Sequence, residues 1–169
     1  VTDKTATDYA LTKSDAGRLS GIPYLPEDIR RMALARILDE IGPTEMVRLF
    51  SQFIGLANSV VANNREMIEM LGITSGDLHP HDAHQINLPT IQGALNGVRL
   101  AADAPRKGMC QGCAFRLGTP ANQSPVTTLD AEYSINERDR QEFLCHERLD
   151  RKGRPKSLCA GFATRTAKR

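Results

Sequence analysis

All four cysteines of this 169-residue chain fall in its last sixty residues: Cys110-x2-Cys113, then Cys145 after thirty-one intervening residues and Cys159 after thirteen more. Chance scatter would rarely do this, so whatever fold the region adopts has to serve a shared use of these thiols. Disulfides need an oxidising compartment. The stretch Val1 to Ser20 is polar, mixed in charge and without the apolar core of a secretory signal, which predicts a cytoplasmic protein with reduced thiols. A C-x2-C can form a thioredoxin-like redox pair, but that motif sits between a strand and a helix, and here Pro105-Arg106-Lys107-Gly108 precedes it. A structural zinc takes four thiolates in a tetrahedron, usually from two C-x2-C knuckles. A [4Fe–4S] cluster also takes four thiolates, and its corners lie further apart, so ligands can arrive singly from separate loops. One C-x2-C with two isolated cysteines fits the cluster better, with Zn2+ on the same four residues as the alternative.

The rest of the chain reads as helical. Pro26, Glu27 and Asp28 suit a first helical turn. Ile29, Met32, Ala33, Ile37 and Ile41 then give one apolar face, and Gly42-Pro43 ends it. A longer helix is predicted from Thr44 to Leu71, with Gly72 as its stop. Met46, Phe50, Phe53, Ala57, Val60, Asn64, Met67 and Leu71 follow alternating steps of four and three, a heptad seam with one Asn in it. Val47, Leu49, Ile54, Leu56, Val61 and Ile68 widen the apolar face. Such a helix is the centre of a bundle or the means of homodimerisation over residues 45–71. A third helix is predicted from Leu88 or Pro89 to about Ala104, where Gly93 and Gly97 would allow close packing although they weaken the helix itself. No segment reaches the ~18–20 apolar residues of a membrane span, so no membrane partner is expected.

The expected fold is therefore mainly α. A flexible, polar arm (1–21) precedes a helical bundle portion (22–104). A small, loop-rich four-cysteine portion (108–163) is organised by its metal, with a short helix from Asn136 to about Leu149 carrying Cys145, and a basic tail (164–169) follows. The charge is uneven. Between Glu147 and Arg169 eight basic residues meet only two acidic ones, although the whole chain carries +2. Arg148, Arg151, Lys152, Arg154 and Lys156 are candidate contacts to nucleic acid or to an acidic protein partner.

Around the cysteines, four thiolates on Zn2+, or on a cluster with a +2 core, leave a formal charge of −2. Arg116 and Arg148, each three residues from a ligand, are placed to offset it. Gly112 and Gly161 would let backbone N–H groups approach sulfur, and His146, next to Cys145, is a candidate hydrogen-bond or proton partner. His79, His81 and His84, close together in one loop, are candidates for a second metal site, since neutral imidazoles suit Zn, Fe or Ni. No phosphate-cradling glycine loop, nucleophile elbow or zinc-protease helix is present, so no catalytic residue is assigned and a non-enzymatic role is favoured.

The strings Cys110-Gln111-Gly112-Cys113-Ala114-Phe115-Arg116, Phe143-Leu144-Cys145-His146 and Cys159-Ala160-Gly161-Phe162 resemble a small bacterial and phage domain family whose pattern reads C-x-x-C-P-[YF]-R, F-x-C-H and C-A-G-W. Ala114 replaces its Pro and Phe162 its Trp, and the likeness spans roughly the last third of the chain. The resemblance implies that the cysteines, Arg116 and the Cys145-His146 pair form one unit. A looser similarity is to the WhiB-like regulators, which hold a [4Fe–4S] cluster on four cysteines beside basic residues. Their spacings run in a different order and their G-[VI]-W-G-G turn is absent here. The leading expectation is an iron–sulfur protein whose cluster is a structural or redox-sensing element beneath a basic face. An electron-transfer accessory subunit and a zinc-held dimeric adaptor are the alternatives.

Overall fold

Gly42 and Pro43 set the shape of the first half. The computed structural model describes residues 9–73, 87–104, 108–136, 142–145 and 147–166; His79, His81, His84, His146 and the end of the basic tail lie outside them. Helix α2 (Glu27–Leu71) starts after Pro26, carries Glu27 and Asp28 in its first turn, and stops at Gly72 in the left-handed conformation. It is broken where expected: Gly42 has φ 76° and ψ 168°, a backbone state that glycine adopts without steric cost. Proline, with no N–H, follows without losing a donor.

The segment read as a flexible arm is folded from residue 9 onwards. Helix α1 (Lys13–Leu19) opens with a reciprocal capping box in which the Thr12 side chain accepts from the Asp15 amide and the Asp15 side chain accepts from the Thr12 amide. The polar composition hid four apolar residues with the right spacing. Tyr9 and Leu11 alternate along an extended entry, and Ala16 and Leu19 share one helical face; all four are buried. Asp15 is buried as well and meets Arg48 of α2 at 3.1 Å. Burial alone would raise its carboxyl, but the Thr12 amide, the Thr12 hydroxyl and Arg48 outweigh this and hold it below the ordinary value. Arg18 ties α1 to Glu40 at 2.6 Å.

Two apolar cores follow. In the first, Leu49, Leu56 and Val60 of α2 pack with Ile37, with Tyr9, Leu11 and Leu19, and with Ala94, Leu95 and Val98 of α3 (Ile91–Ala102). The buried seam of α2 is therefore rotated from the one read in the sequence. Met46 and Phe53 are half-buried against the core, while Phe50 and Leu71 are exposed. Asn64 turns inward and donates to the Pro89 carbonyl at 3.0 Å.

The second core corrects the expectation that the cysteine portion lacks one. Phe115, Phe143 and Phe162 gather with Leu100, Ala131, Ile135, Cys113 and Cys159. Phe143 meets Phe115 edge-on, with ring centroids 5.8 Å apart, and Phe162 at 6.3 Å. Only five Phe occur in the chain, so a low overall aromatic content concealed a local concentration of three.

Helix α3 serves both cores and carries the predicted close packing. Its Gly93 and Gly97 lie against the backbone of α4 (Pro120–Gln123), where an added Cβ would stand 2.1 Å from the Gln123 carbonyl oxygen and 1.9 Å from that of Asn122. Asn122, fully buried, donates to the carbonyls of Gly97 (3.0 Å) and Ala114 (2.7 Å) and accepts from the Gly118 amide. Helix α5 (Pro125–Asn136) ends where the short helix of Cys145 was expected to begin. Instead the chain pairs antiparallel, Leu144 with Leu158 and Leu149 with Pro155. The turn between them is made by the Asp150 carboxylate, which accepts from the amides of Lys152 and Arg154, and by Gly153 at φ 75°. Helix α6 (Ala160–Thr166) closes the described chain. Among the described residues no helix is long and apolar enough to cross a membrane.

Candidate metal centre

The four cysteines come from two structures that the sequence keeps apart. Cys110 and Cys113 lie in an irregular segment whose shape is fixed by hydrogen bonds from two side chains. Arg116 donates Nε to the Cys110 carbonyl (3.0 Å) and a terminal nitrogen to the Met109 carbonyl (3.1 Å). Thr119, which caps α4, donates its hydroxyl to the Cys113 carbonyl at 3.0 Å. Cys145 and Cys159 lie on the two edges of the antiparallel ribbon, with the Cys145 amide on the Ser157 carbonyl (2.8 Å) and the Cys159 amide on that of Phe143 (2.9 Å).

All four side chains line one cavity of about 310 Å³ between these structures. Cys113 and Cys159 have their sulfurs 3.5 Å apart, and Cys145 lies near enough to Cys110 to raise its thiol. Cys113, Cys145 and Cys159 are buried, whereas Cys110 is half-buried. Among the described residues no group of three or more His, Cys, Asp or Glu side chains is drawn together closely enough to hold a metal ion.

The electrostatics follow from these contacts. Cys159 is brought down to about 6, first by the hydrogen bond from Cys113 and then, against the effect of burial, by the amides of Phe162 and Gly161. Cys113 is raised, first as the donor in that same bond and then by burial. Burial, the Glu147 carboxylate and Cys145 push Cys110 up to about 11. A metal entering such a site displaces the protons the thiols carry.

The residues expected around the ligands divide. The Gly161 amide helps to lower the Cys159 thiol, and a Cβ on Gly161 would stand 2.5 Å from the Phe115 ring. The Gly112 amide goes instead to the Glu147 carboxylate. Arg116 acts as a clip on two carbonyls. Arg148 is exposed on the ribbon, where its carbonyl accepts from Lys156 at 2.8 Å. Glu147 was missed. It lines the same cavity and approaches Cys110. The signal for it was its place in sequence two residues after Cys145, a carboxylate close to a candidate ligand; a helix assigned to that segment left it unread.

The clip makes a prediction. If the four thiols hold a metal, Arg116→Ala is expected to speed its loss to a chelator by roughly tenfold or more, as removal of supporting hydrogen bonds commonly does. Arg116→Lys, which keeps the charge but not the planar fork, should fail to restore retention. Full restoration by Lys would show that Arg116 acts through charge alone.

No family model matches this sequence, and neither a curated protein nor a solved structure is significantly similar to it.

Proposed function

We propose that Cys110, Cys113, Cys145 and Cys159 hold an iron–sulfur cluster of the [4Fe–4S] type and that the protein is a non-enzymatic cluster-binding protein. The observation that carries this is the convergence of four thiols from separate segments on one cavity of about 310 Å³. A cubane takes one thiolate at each of its four corners and accepts them from unrelated loops; for it to enter, the 3.5 Å Cys113–Cys159 contact has to open. Amides aimed at Cys159 are of the kind that tune a cluster's potential. The competing reading is a structural zinc. It is favoured by the 3.5 Å Cys113–Cys159 contact, near the edge of about 3.8 Å that a tetrahedron with Zn–S bonds of about 2.3 Å requires.

The cluster's role follows from what its ligands are attached to. Two of them are on the ribbon that bears Arg148, Arg151, Lys152, Arg154 and Lys156, all exposed. A cluster bonded to both edges of the ribbon and to the Cys110 segment fixes this basic face. Its oxidation or loss releases the face, which makes the centre a structural or redox-sensing element for binding nucleic acid or an acidic partner. Arg154 pairs with Asp150 at 3.1 Å, so the remaining four cations are the contacts.

The deciding measurement is an ultraviolet–visible spectrum of protein purified without oxygen, with iron, sulfide and zinc assayed on the same sample. A band near ~400 nm with about four irons and four sulfides per chain is expected. Colourless protein with one zinc per chain would overturn the cluster and leave the structural zinc reading.

A further inference from the structure

Helix α2 has a second apolar stripe, much of it exposed among the described residues. Val47, Ile54, Val61 and Ile68 are spaced seven apart, and Phe50, Ala57, Asn64 and Leu71 fall three residues after them, with Asn64 among the eight turned to Pro89 of its own chain. These are the a and d positions of four consecutive heptads, with a β-branched residue at every a, the choice that favours two-stranded coiled coils. The chain's own core takes another face of the helix, through Leu49, Leu56 and Val60. Val47, Phe50, Ile54, Val61 and Leu71 remain between 46% and 71% exposed.

We infer that this stripe is the contact between two copies of the chain, each presenting residues 47–71 of α2 to the other. The stripe is complementary to itself, because an a/d seam packs knobs of one helix into holes of an identical one. Its flanking e positions, Ser51, Asn58 and Arg65, carry a single charged type and so only one like-charge pairing to avoid. The five exposed side chains present apolar surface on the order of 500 Å² per copy, as large as the biggest patch of an ordinary monomer. Pairing two copies through it removes about 1,000 Å², and the flanking polar side chains bring the total into the ~1,200–2,000 Å² of a specific interface. Pairing aligns the two α2 helices through side chains that are not cysteines, so it does not depend on the identity of the metal.

The test is the mass of the full chain in solution by light scattering across a concentration series. Wild type is expected at twice the chain mass of 18.6 kDa. Ile54→Lys/Val61→Lys should run at the single-chain mass with unchanged circular dichroism and unchanged metal content. Val126→Lys/Leu129→Lys, which places the same charges on another exposed apolar pair, should stay at twice the mass. A wild-type protein monomeric at every concentration overturns the inference and leaves the stripe to a different protein. So does dissociation by the α5 variant, or a seam variant that remains dimeric. If the lysine pair lowers helix content, Ile54→Ala/Val61→Ala replaces it and must weaken dimerisation at least tenfold; no change overturns the inference.

Discussion

Cys159→Ser protein is expected to retain less than about a tenth of the wild-type metal and to loosen its basic ribbon while α1, α2 and α3 stay folded. Cys159 is buried, 3.5 Å from Cys113, and already receives the amides of Gly161 and Phe162. Serine keeps the shape but offers a harder oxygen, with a far higher pKa, to a metal that selects soft thiolates. The rest of the second core, Phe115, Phe143 and Phe162 with Leu100, is untouched, so the loss should be local. Metal analysis with limited proteolysis of the ribbon measures both parts. Serine protein that keeps its full metal complement would remove Cys159 from the ligand set. Protein that loses the metal but leaves the ribbon as protease-resistant as before would separate the centre from the basic face.

The second large effect lies away from the cysteines. Gly97→Ala should destabilise the protein by about 3 kcal/mol or more, a large part of the usual 5–15 kcal/mol. Alanine's better helix propensity contributes about 1 kcal/mol in the opposite direction. The added carbon, however, would stand 1.9 Å from the Asn122 carbonyl oxygen and 2.6 Å from its side chain, and overpacking against backbone cannot be relieved by turning a flexible tip. α3 and α4 must separate, and Asn122 loses its grip on the Gly97 and Ala114 carbonyls. Gly17→Ala is the control. It lies inside α1 with nothing within 4 Å of the new carbon, so propensity wins and it should stabilise slightly. Urea midpoints compare the two; a Gly97→Ala midpoint equal to wild type would show that the α3–α4 contact gives way without loss.

The helices that could be read from sequence were those with strong punctuation. Proline at the start of α2, Gly42-Pro43 within it and Gly72 at its end are local backbone constraints, and they act whatever the tertiary context. The close approach at Gly93 and Gly97 was legible because small residues four apart on a helix share a face. What failed depended on context. α1 was hidden because four well-spaced apolar residues sit among polar ones, and composition averages over spacing. The ribbon was hidden because Phe143, Cys145, Leu158 and Cys159 find their partners only across the turn, and the turn chemistry of Asp150 and Gly153 was not weighed. The cysteines were legible as a set from their clustering alone. Their pairing, Cys113 with Cys159 and Cys110 beside Cys145, was not, because it joins residues far apart in the chain. Asn122 and Gln123 left no signal at all. Buried amides in a four-residue helix look like surface until their partners are known: Gln123 donates to the Ser59 hydroxyl and accepts from the Asn63 side-chain amide, both on α2.

α3 has a consequence for how such a chain can be rearranged by recombination. It gives Leu95 and Val98 to one core and Leu100 to the other, and its Gly97 carbonyl receives the buried Asn122. The four-cysteine portion is therefore not a portable cassette. Transplanted from residue 108 onward into another protein, it would arrive with its aromatic core open where Leu100 had been and with Asn122 short of an acceptor. Any inheritance of this centre as a unit has to carry α3 with it.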